Sequence, residues 1–303
     1  IAIMRPQLLR IQADSLCLQE INSQDDGGVR KLSALDNLLV NTPYQPYHRA
    51  FTTMKNSPEP YTERNLVTLS RFPILQASSL RHDPNTAPSY MKVMAIPKEQ
   101  NAKPVEWERP ILFTQIDLGN QQTLHLYNCH LKSKIPSNIA GQKINDYTWK
   151  SVSAWAEGYF ISSMKRVGQA LQLRCTIDDI FTQAEVNSTP AFIMIAGDLN
   201  ANFDSVAMNA LRGPVEETGN PQLGRRVMVP CELSVPESSR YSLLHLRIGQ
   251  MIDHILVSRD MLTYYAKTEI HNETLPDESG AFRTDIKFPE SDHAPVIAEF
   301  HFP

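Results

Sequence analysis

Five short stretches of this chain share one design, and that design limits the folds open to it. Each is an apolar run that closes on carboxylate, amide or imidazole side chains. They are Leu16-Cys17-Leu18-Gln19-Glu20, Leu126-Tyr127-Asn128-Cys129-His130, Ile195-Ala196-Gly197-Asp198-Leu199-Asn200, Met251-Ile252-Asp253-His254 and Ser291-Asp292-His293-Ala294-Pro295. A short apolar run bounded by turn formers reads as a buried strand. If the polar tips of such strands gather at one edge of a sheet pair, Glu20, Asp198, Asp253 and Asp292 meet. Four carboxylates in one place repel one another unless a cation sits among them. Oxygen, amide and imidazole donors without a thiolate suit a hard cation, Mg²⁺ or Mn²⁺.

The rest of the chain supports a sizeable core around such a site. Hydrophobic residues make up 42% and charged residues 20%, which excludes disorder. The net charge of −4 excludes a protein that coats nucleic acid through bulk positive charge, but leaves a local basic groove open. No apolar run approaches the roughly 18 residues that cross a membrane. The cysteines, Cys17, Cys129, Cys175 and Cys231, form no metal-type pair. They read as free thiols of a reducing compartment. With no export signal at Ile1–Pro6, a cytoplasmic location is expected.

Helical spacing is expected over Pro6–Gln12 and at Leu32, Leu35, Leu38 and Leu39. Strands are expected at Asn65–Ser70, Lys92–Ile96, Pro110–Leu118 and Thr123–Leu131. A long helix should run from Trp149 to about Glu185, offering Trp155, Tyr159, Met164, Leu171 and Ile177 to a core. Pro190 ends it and opens the strand Ala191–Ala196. A short helix near Val206–Leu211, strands at Tyr241–Leu246 and Met251–Val257, a loop over Asn272–Pro289 and a last strand at Ala294–Phe300 complete the series. No stretch resembles an interdomain linker, so residues 1–303 are read as one domain.

The motifs Leu18-Gln19-Glu20, Gly197-Asp198-Leu199-Asn200, Ile252-Asp253-His254 and Ser291-Asp292-His293-Ala294-Pro295 together resemble the endonuclease/exonuclease/phosphatase superfamily. The segment Glu63–Ile74 resembles that family's strand leading into a Ser-Arg-x-Pro-Ile turn. The resemblance implies an α/β fold, a four-layer sandwich of two packed mixed β-sheets flanked by helices. It implies a divalent-metal-dependent phosphoesterase acting on a phosphodiester, as a nuclease does, or on a phosphomonoester. By that similarity Glu20 is the main metal carboxylate and Asp292 assists it. Asp198 orients or deprotonates the attacking water, Asn200 holds phosphate or water, and Asp253 pairs with His293. His130 fits the deoxyribonuclease and sphingomyelinase branches, where Glu63 would orient it. The family's opening strand, which carries an Asn, has no counterpart ahead of the first helix. That departure keeps a catalytically silent relative, a binding or scaffold module, as the alternative.

Phosphate-ester hydrolysis needs an activated water, charge stabilisation on the non-bridging oxygens and a proton for the leaving oxygen. A cation on Glu20 and Asp292 supplies the second. His130 and His293 are expected to titrate near neutrality and to divide the acid and base roles. Arg64 and Lys132 are candidate phosphate contacts. Lys132, Lys134, Lys143 and Lys150 punctuate the segment after His130, which could close over a polyanion such as nucleic acid.

Overall fold

The computed structural model describes residues 4–82, 87–107, 109–282 and 291–303. Helix α1 spans Met4–Ile11, strand β1 Ser15–Ile21 and helix α2 Ser33–Leu39. Strands β2 (His48–Phe51), β3 (Asn65–Ser70), β4 (Ile74–Leu80), β5 (Ile111–Gly119) and β6 (Gln122–His130) follow. Helix α3 (Val152–Asn187) leads into β7 (Phe192–Asp198) and helix α4 (Val206–Arg212). The chain finishes with β8 (Met228–Pro230), β9 (Asp253–Ser258), β10 (Tyr265–Ile270) and β11 (Val296–Phe300), besides several two- and three-residue strands.

Six strands form one sheet in the order β8-β9-β7-β6-β5-β4. Its one parallel pair is β6–β7, and the rest are antiparallel. A parallel neighbour needs a crossover, and α3 supplies it. Ser151 caps α3 by accepting from Ala154 N at 3.1 Å, and left-handed Ser188 ends it ahead of Pro190. The helix buries Ala170, Leu173, Ile177, Phe181 and Ala184 against Tyr127, Cys129, Ile193 and Ile195 on one face of the sheet. Strand alternation sends Leu124, Leu126, Met194 and Ala196 to the other face. That inner face packs against Cys17 of β1 and Ala298 and Phe300 of β11.

The second layer of strands is the three-stranded sheet β1-β3-β2, with the antiparallel pair β10–β11 beside it. Helices α1 and α2 cover the three-stranded sheet, where Leu8, Leu35 and Leu39 cluster with Leu16, Val67 and Leu69. Helix, sheet, sheet and helix make four layers, the architecture expected.

The expected strand at Lys92–Ile96 is absent. The buried Glu157 carboxylate accepts from Val93 N at 2.6 Å and Met94 N at 3.0 Å, so a side chain satisfies backbone groups that a sheet would otherwise need. Strands β2 and β4 were not anticipated. Trp155, Tyr159 and Leu171 of α3 face outward, because the buried stripe runs through Ile161, Ala170, Leu173 and Ile177. The Asn272–Pro289 loop lies partly outside the described residues. All four cysteines are free thiols. Among the described residues no helix is long and apolar enough to cross a membrane.

Candidate active site

Register builds the centre of the site. On three adjacent strands His130 lies opposite Asp198 in the parallel β6–β7 pair, and Asp198 lies opposite Asp253 in the antiparallel β7–β9 pair. Three titratable tips thus stand in one row at one sheet edge. Gly197 lets them approach. Its φ is 131°, and a Cβ there would lie 2.1 Å from the Cys129 carbonyl oxygen.

Glu20 reaches the row from the other sheet. The β1–β3 register slips between Leu18 and Ile21, and Glu20 takes a left-handed φ of 57°. A bulge of this kind re-aims a side chain out of its strand. Glu20 Oε1 lies 3.9 Å from His130 Nε2, which is 3.3 Å from Asp198 Oδ2. Buried Asn128 and Gln19 fasten the two sheets beneath this point. Asn128 donates to the carbonyls of Leu18 (3.2 Å) and Val67 (3.0 Å), and accepts from Gln19 at 2.8 Å.

Asn200, itself left-handed at φ 49°, steadies Asp198. Its backbone N–H donates to Oδ1 at 2.8 Å and its amide to Oδ2 at 2.9 Å. Burial and the facing Asp253 charge push the Asp198 carboxyl up to about 7, against the pull of His293 and the Asn200 bond.

His293 arrives from the segment ahead of β11. Ala294 N donates to Ser242 O at 2.8 Å, and a bridge joins Leu243 to His293. Its Nδ1 lies 2.8 Å from Asp253 Oδ2. Asp253 also accepts from Ser242 Oγ at 2.6 Å. Burial disfavours the charged ring, but the Asp253 bond and the charges of Asp253, Asp198 and Asp292 outweigh it and raise His293 to about 10. Candidate ligand atoms of Asp198, Asp253 and His293 lie within 4.8 Å of one another.

The expectation that both histidines titrate near neutrality is corrected here. His293 is held charged, whereas burial and then the cations Arg109, His293, Arg64 and Lys132 press His130 down to about 3. Glu20, largely exposed, does not offset these cations. Glu63 does not orient His130. It is exposed, and His130 Nδ1 is buried without a hydrogen-bond partner.

The phosphate contacts are also revised. Arg64 stands at the mouth, its Nε 4.0 Å from Glu20 Oε1. Lys132 Nζ bonds Ser133 Oγ and the Ile135 carbonyl, both at 3.1 Å. Lys134 Nζ bonds Asn202 and Gln250 at 3.0 Å, Lys143 bonds Asp146 O and Lys150 bonds Gly141 O. Lys132, Lys143 and Lys150 brace their own loop and Lys134 ties it to Asn202 and Gln250, so these lysines do not stand open as a basic lid. Asp292 acts on His293 through its charge, and among the described residues it shares no three-ligand point with Glu20.

Sequence reasoning missed Arg109, Ser242 and Glu232, the buried partner of His254. His254 Nδ1 meets Glu232 Oε1 and Nε2 meets the Ala201 carbonyl at 2.8 Å. A carbonyl only accepts, so Nε2 carries a proton. Burial opposes charging this ring, but Glu232 outweighs it and raises His254. The pair fixes the loop that follows Asp198. His254 was visible in the Ile252-Asp253-His254 motif, but nothing in the sequence pointed to Glu232 as its partner.

The donor set fits a hard cation. It holds carboxylates and imidazoles without a thiolate, and burial together with the facing Asp253 charge lifts Asp198 to about 7, a charge imbalance that a cation would relieve.

Comparison with known proteins completes the description. The family model described as "Endonuclease/Exonuclease/phosphatase family" matches residues 2–293. No curated protein matches the sequence. An AP endonuclease from Archaeoglobus fulgidus superposes with a TM-score of 0.52 at 13% identity, covering 99% of this chain and 94% of that one. Truncated TDP2 from Caenorhabditis elegans gives 0.53 at 13% identity over 98% and 87% of the two chains. The 3' phosphatase NExo from Neisseria, bound to a product DNA hairpin, gives 0.50 at 15% identity over 98% and 94%. Identities this low speak for the fold.

Proposed function

Because the chain belongs to the endonuclease/exonuclease/phosphatase family, we propose that it is a phosphoesterase using Mg²⁺ or Mn²⁺. The observation that carries this reading is the row His130–Asp198–Asp253 with His293 closed on Asp253 and Glu20 brought in from the second sheet. Groups whose environments push their proton affinities apart mark the acid and base of a site.

His293, kept charged by Asp253, donates a hydrogen bond to a phosphoryl oxygen or a proton to the leaving oxygen. Asp198 sits near pH 7 in proton affinity, which suits a group that orients water and takes its proton. Asn200 holds that carboxylate in place. Neutral His130 presents Nε2 between Glu20 and Asp198, where it steers the water or an oxygen of the substrate. Glu20, brought to the row from the second sheet, would hold the cation, which would supply charge neutralisation at the phosphate. Arg64 at the mouth adds a cationic contact. NExo's DNA hairpin makes nucleic acid the first substrate class to examine.

The test is hydrolysis of bis-p-nitrophenyl phosphate with and without Mg²⁺ or Mn²⁺, comparing Asp198→Ala and His293→Ala. Metal-dependent turnover lost in both variants is expected. No turnover in the unaltered protein favours the silent scaffold instead. Plasmid DNA, abasic duplex, RNA, sphingomyelin and inositol phosphates then separate the substrate classes.

A further inference from the structure

The first two turns of α3 are inside out for a helix that borders solvent. Such a helix normally sends charge outward and apolar residues inward. Here every exposed side chain from Val152 to Phe160 is uncharged: Val152, Ser153, Trp155, Ala156, Tyr159 and Phe160. The one charge in that stretch, Glu157, is buried. Its carboxylate accepts from the Tyr90 hydroxyl at 3.0 Å and from the N–H groups of Val93 and Met94. Val152 is 81% exposed, Phe160 50%, Trp155 43% and Tyr159 40%. The Trp155 and Tyr159 rings stack on one another, with centroids 5.5 Å apart and planes 14° from parallel, so they form one flat plate.

Two loops extend this face. Exposed Val93 lies against the helix through the bond of its N–H to Glu157. Exposed Ile96 sits on Gly141 of the second loop, and its N–H donates to the Ala140 carbonyl at 2.9 Å. Ile144 and Tyr147 of that second loop are exposed as well. A bridge between Lys143 and Trp149 folds the loop back to the start of α3. Single exposed hydrophobic residues are ordinary, but a contiguous apolar patch marks a binding surface.

Charge says what the surface faces. The helix start and the two loops pack round one small core, Ala95, Val105, Ile139 and Ile161, and so form a lobe. Residues 88–107 and 131–166, which build it, hold nine Lys and Arg against four Asp and Glu, a net +5. The whole chain is −4, so the remainder carries −9. An excess this local matches an anionic partner. Two copies meeting through this face would set one positive lobe against another, which disfavours a symmetric dimer. A nucleic-acid strand stacks its bases on aromatic rings, but exposed Val93, Ile96, Ile144 and Val152 offer it nothing. A bilayer uses all three kinds of residue: aliphatic side chains enter its acyl region, Trp and Tyr sit at headgroup level, and lysines meet anionic headgroups. Lys150 lies one residue ahead of Ser151, which caps α3, and Lys98 two residues beyond Ile96, and both are exposed.

We propose that this lobe is a peripheral membrane-binding surface for bilayers that carry anionic headgroups. Val152, Trp155, Tyr159 and Phe160 enter the boundary between headgroups and acyl chains, and the lysines around them meet lipid phosphate. The proposal concerns binding alone and stands whether or not the phosphoesterase reading holds.

The test is co-sedimentation of the 303-residue protein with vesicles of phosphatidylcholine alone and of phosphatidylcholine with about 30% phosphatidylglycerol. Binding should be about tenfold tighter or more on the anionic vesicles and should weaken as salt is added. Trp155→Ser combined with Phe160→Ser should weaken it about tenfold or more. Lys98→Ala combined with Lys150→Ala should weaken it about tenfold on the anionic vesicles and leave the neutral ones unchanged. If the serine pair does not fold, tryptophan emission replaces it: anionic vesicles should shift the emission of the unaltered protein to the blue, and Trp155→Phe should remove most of that shift. No binding to either vesicle overturns the proposal, as does equal binding to both, or an emission shift that survives in Trp155→Phe. Single-stranded DNA or RNA held through these residues while vesicles are not, or a dimer that the serine pair dissolves while vesicles are not bound, is equally fatal.

Discussion

Replacing Asp253 by Asn tests the electrostatic core of the site. The substitution keeps the shape and removes the negative charge 2.8 Å from His293 Nδ1. His293 stands at about 10 against an ordinary 6.5, and each pH unit corresponds to about 1.4 kcal/mol. The surroundings therefore favour its charged form by roughly 5 kcal/mol, most of it from Asp253. Asp198 and Asp292 still favour the charge in the variant, and burial opposes it. The midpoint should fall from about 10 to below 8. The assay is an NMR titration of the histidine ring protons in EDTA, read from pH 5.5 to 10.5. Stability carries the same signature. A raised histidine stabilises fully below the unfolded value of 6.5, and that contribution is lost as pH climbs through 10. The unaltered protein should lose Tm across that window, and Asp253→Asn should lose much less. A variant midpoint still above 9 would refute the assignment of Asp253 as the group that charges His293.

Asp198→Asn should abolish turnover while raising stability at neutral pH. Between the ordinary 3.8 and about 7 the unfolded chain has released this proton and the folded chain has not, so stability falls as pH rises there. Urea melts in EDTA at pH 4 and pH 7 should show that fall in the unaltered protein and a smaller one in the variant. Glu232→Leu should cost about 3–5 kcal/mol, because it leaves the buried His254 without its counter-charge. Chemical denaturation measures it, and a cost under 1 kcal/mol would show that the pair contributes little. Gly197→Ala should cost about 3 kcal/mol or more, since φ 131° and the Cys129 carbonyl leave no room for a Cβ. An unshifted Tm would contradict the packing described.

Tips of apolar runs were readable as candidate site residues because burial and chemistry conflict there. A strand ending Gly197-Asp198-Leu199-Asn200 places a carboxylate where a core residue would be cheaper, and that anomaly shows in one dimension. His130, Asp198, Asn200, Asp253 and His293 were all found this way, and they do converge. Glu63 and Lys132 were misassigned because proximity along the chain says nothing about direction. Glu63 faces outward, and the Lys132 ammonium turns onto its own loop.

Local pattern alone determined that the chain forms buried strands, a long crossover helix and polar strand tips, because strand and helix periods are properties of neighbouring residues. Pairing was different. Whether two histidines share a proton affinity depends on which charges lie within a few ångströms, and only sheet register put Asp253 beside His293 and cations around a buried His130. The same holds for the His254–Glu232 pair, 22 residues apart. Long-range contacts decide these, and no residue carries them by itself.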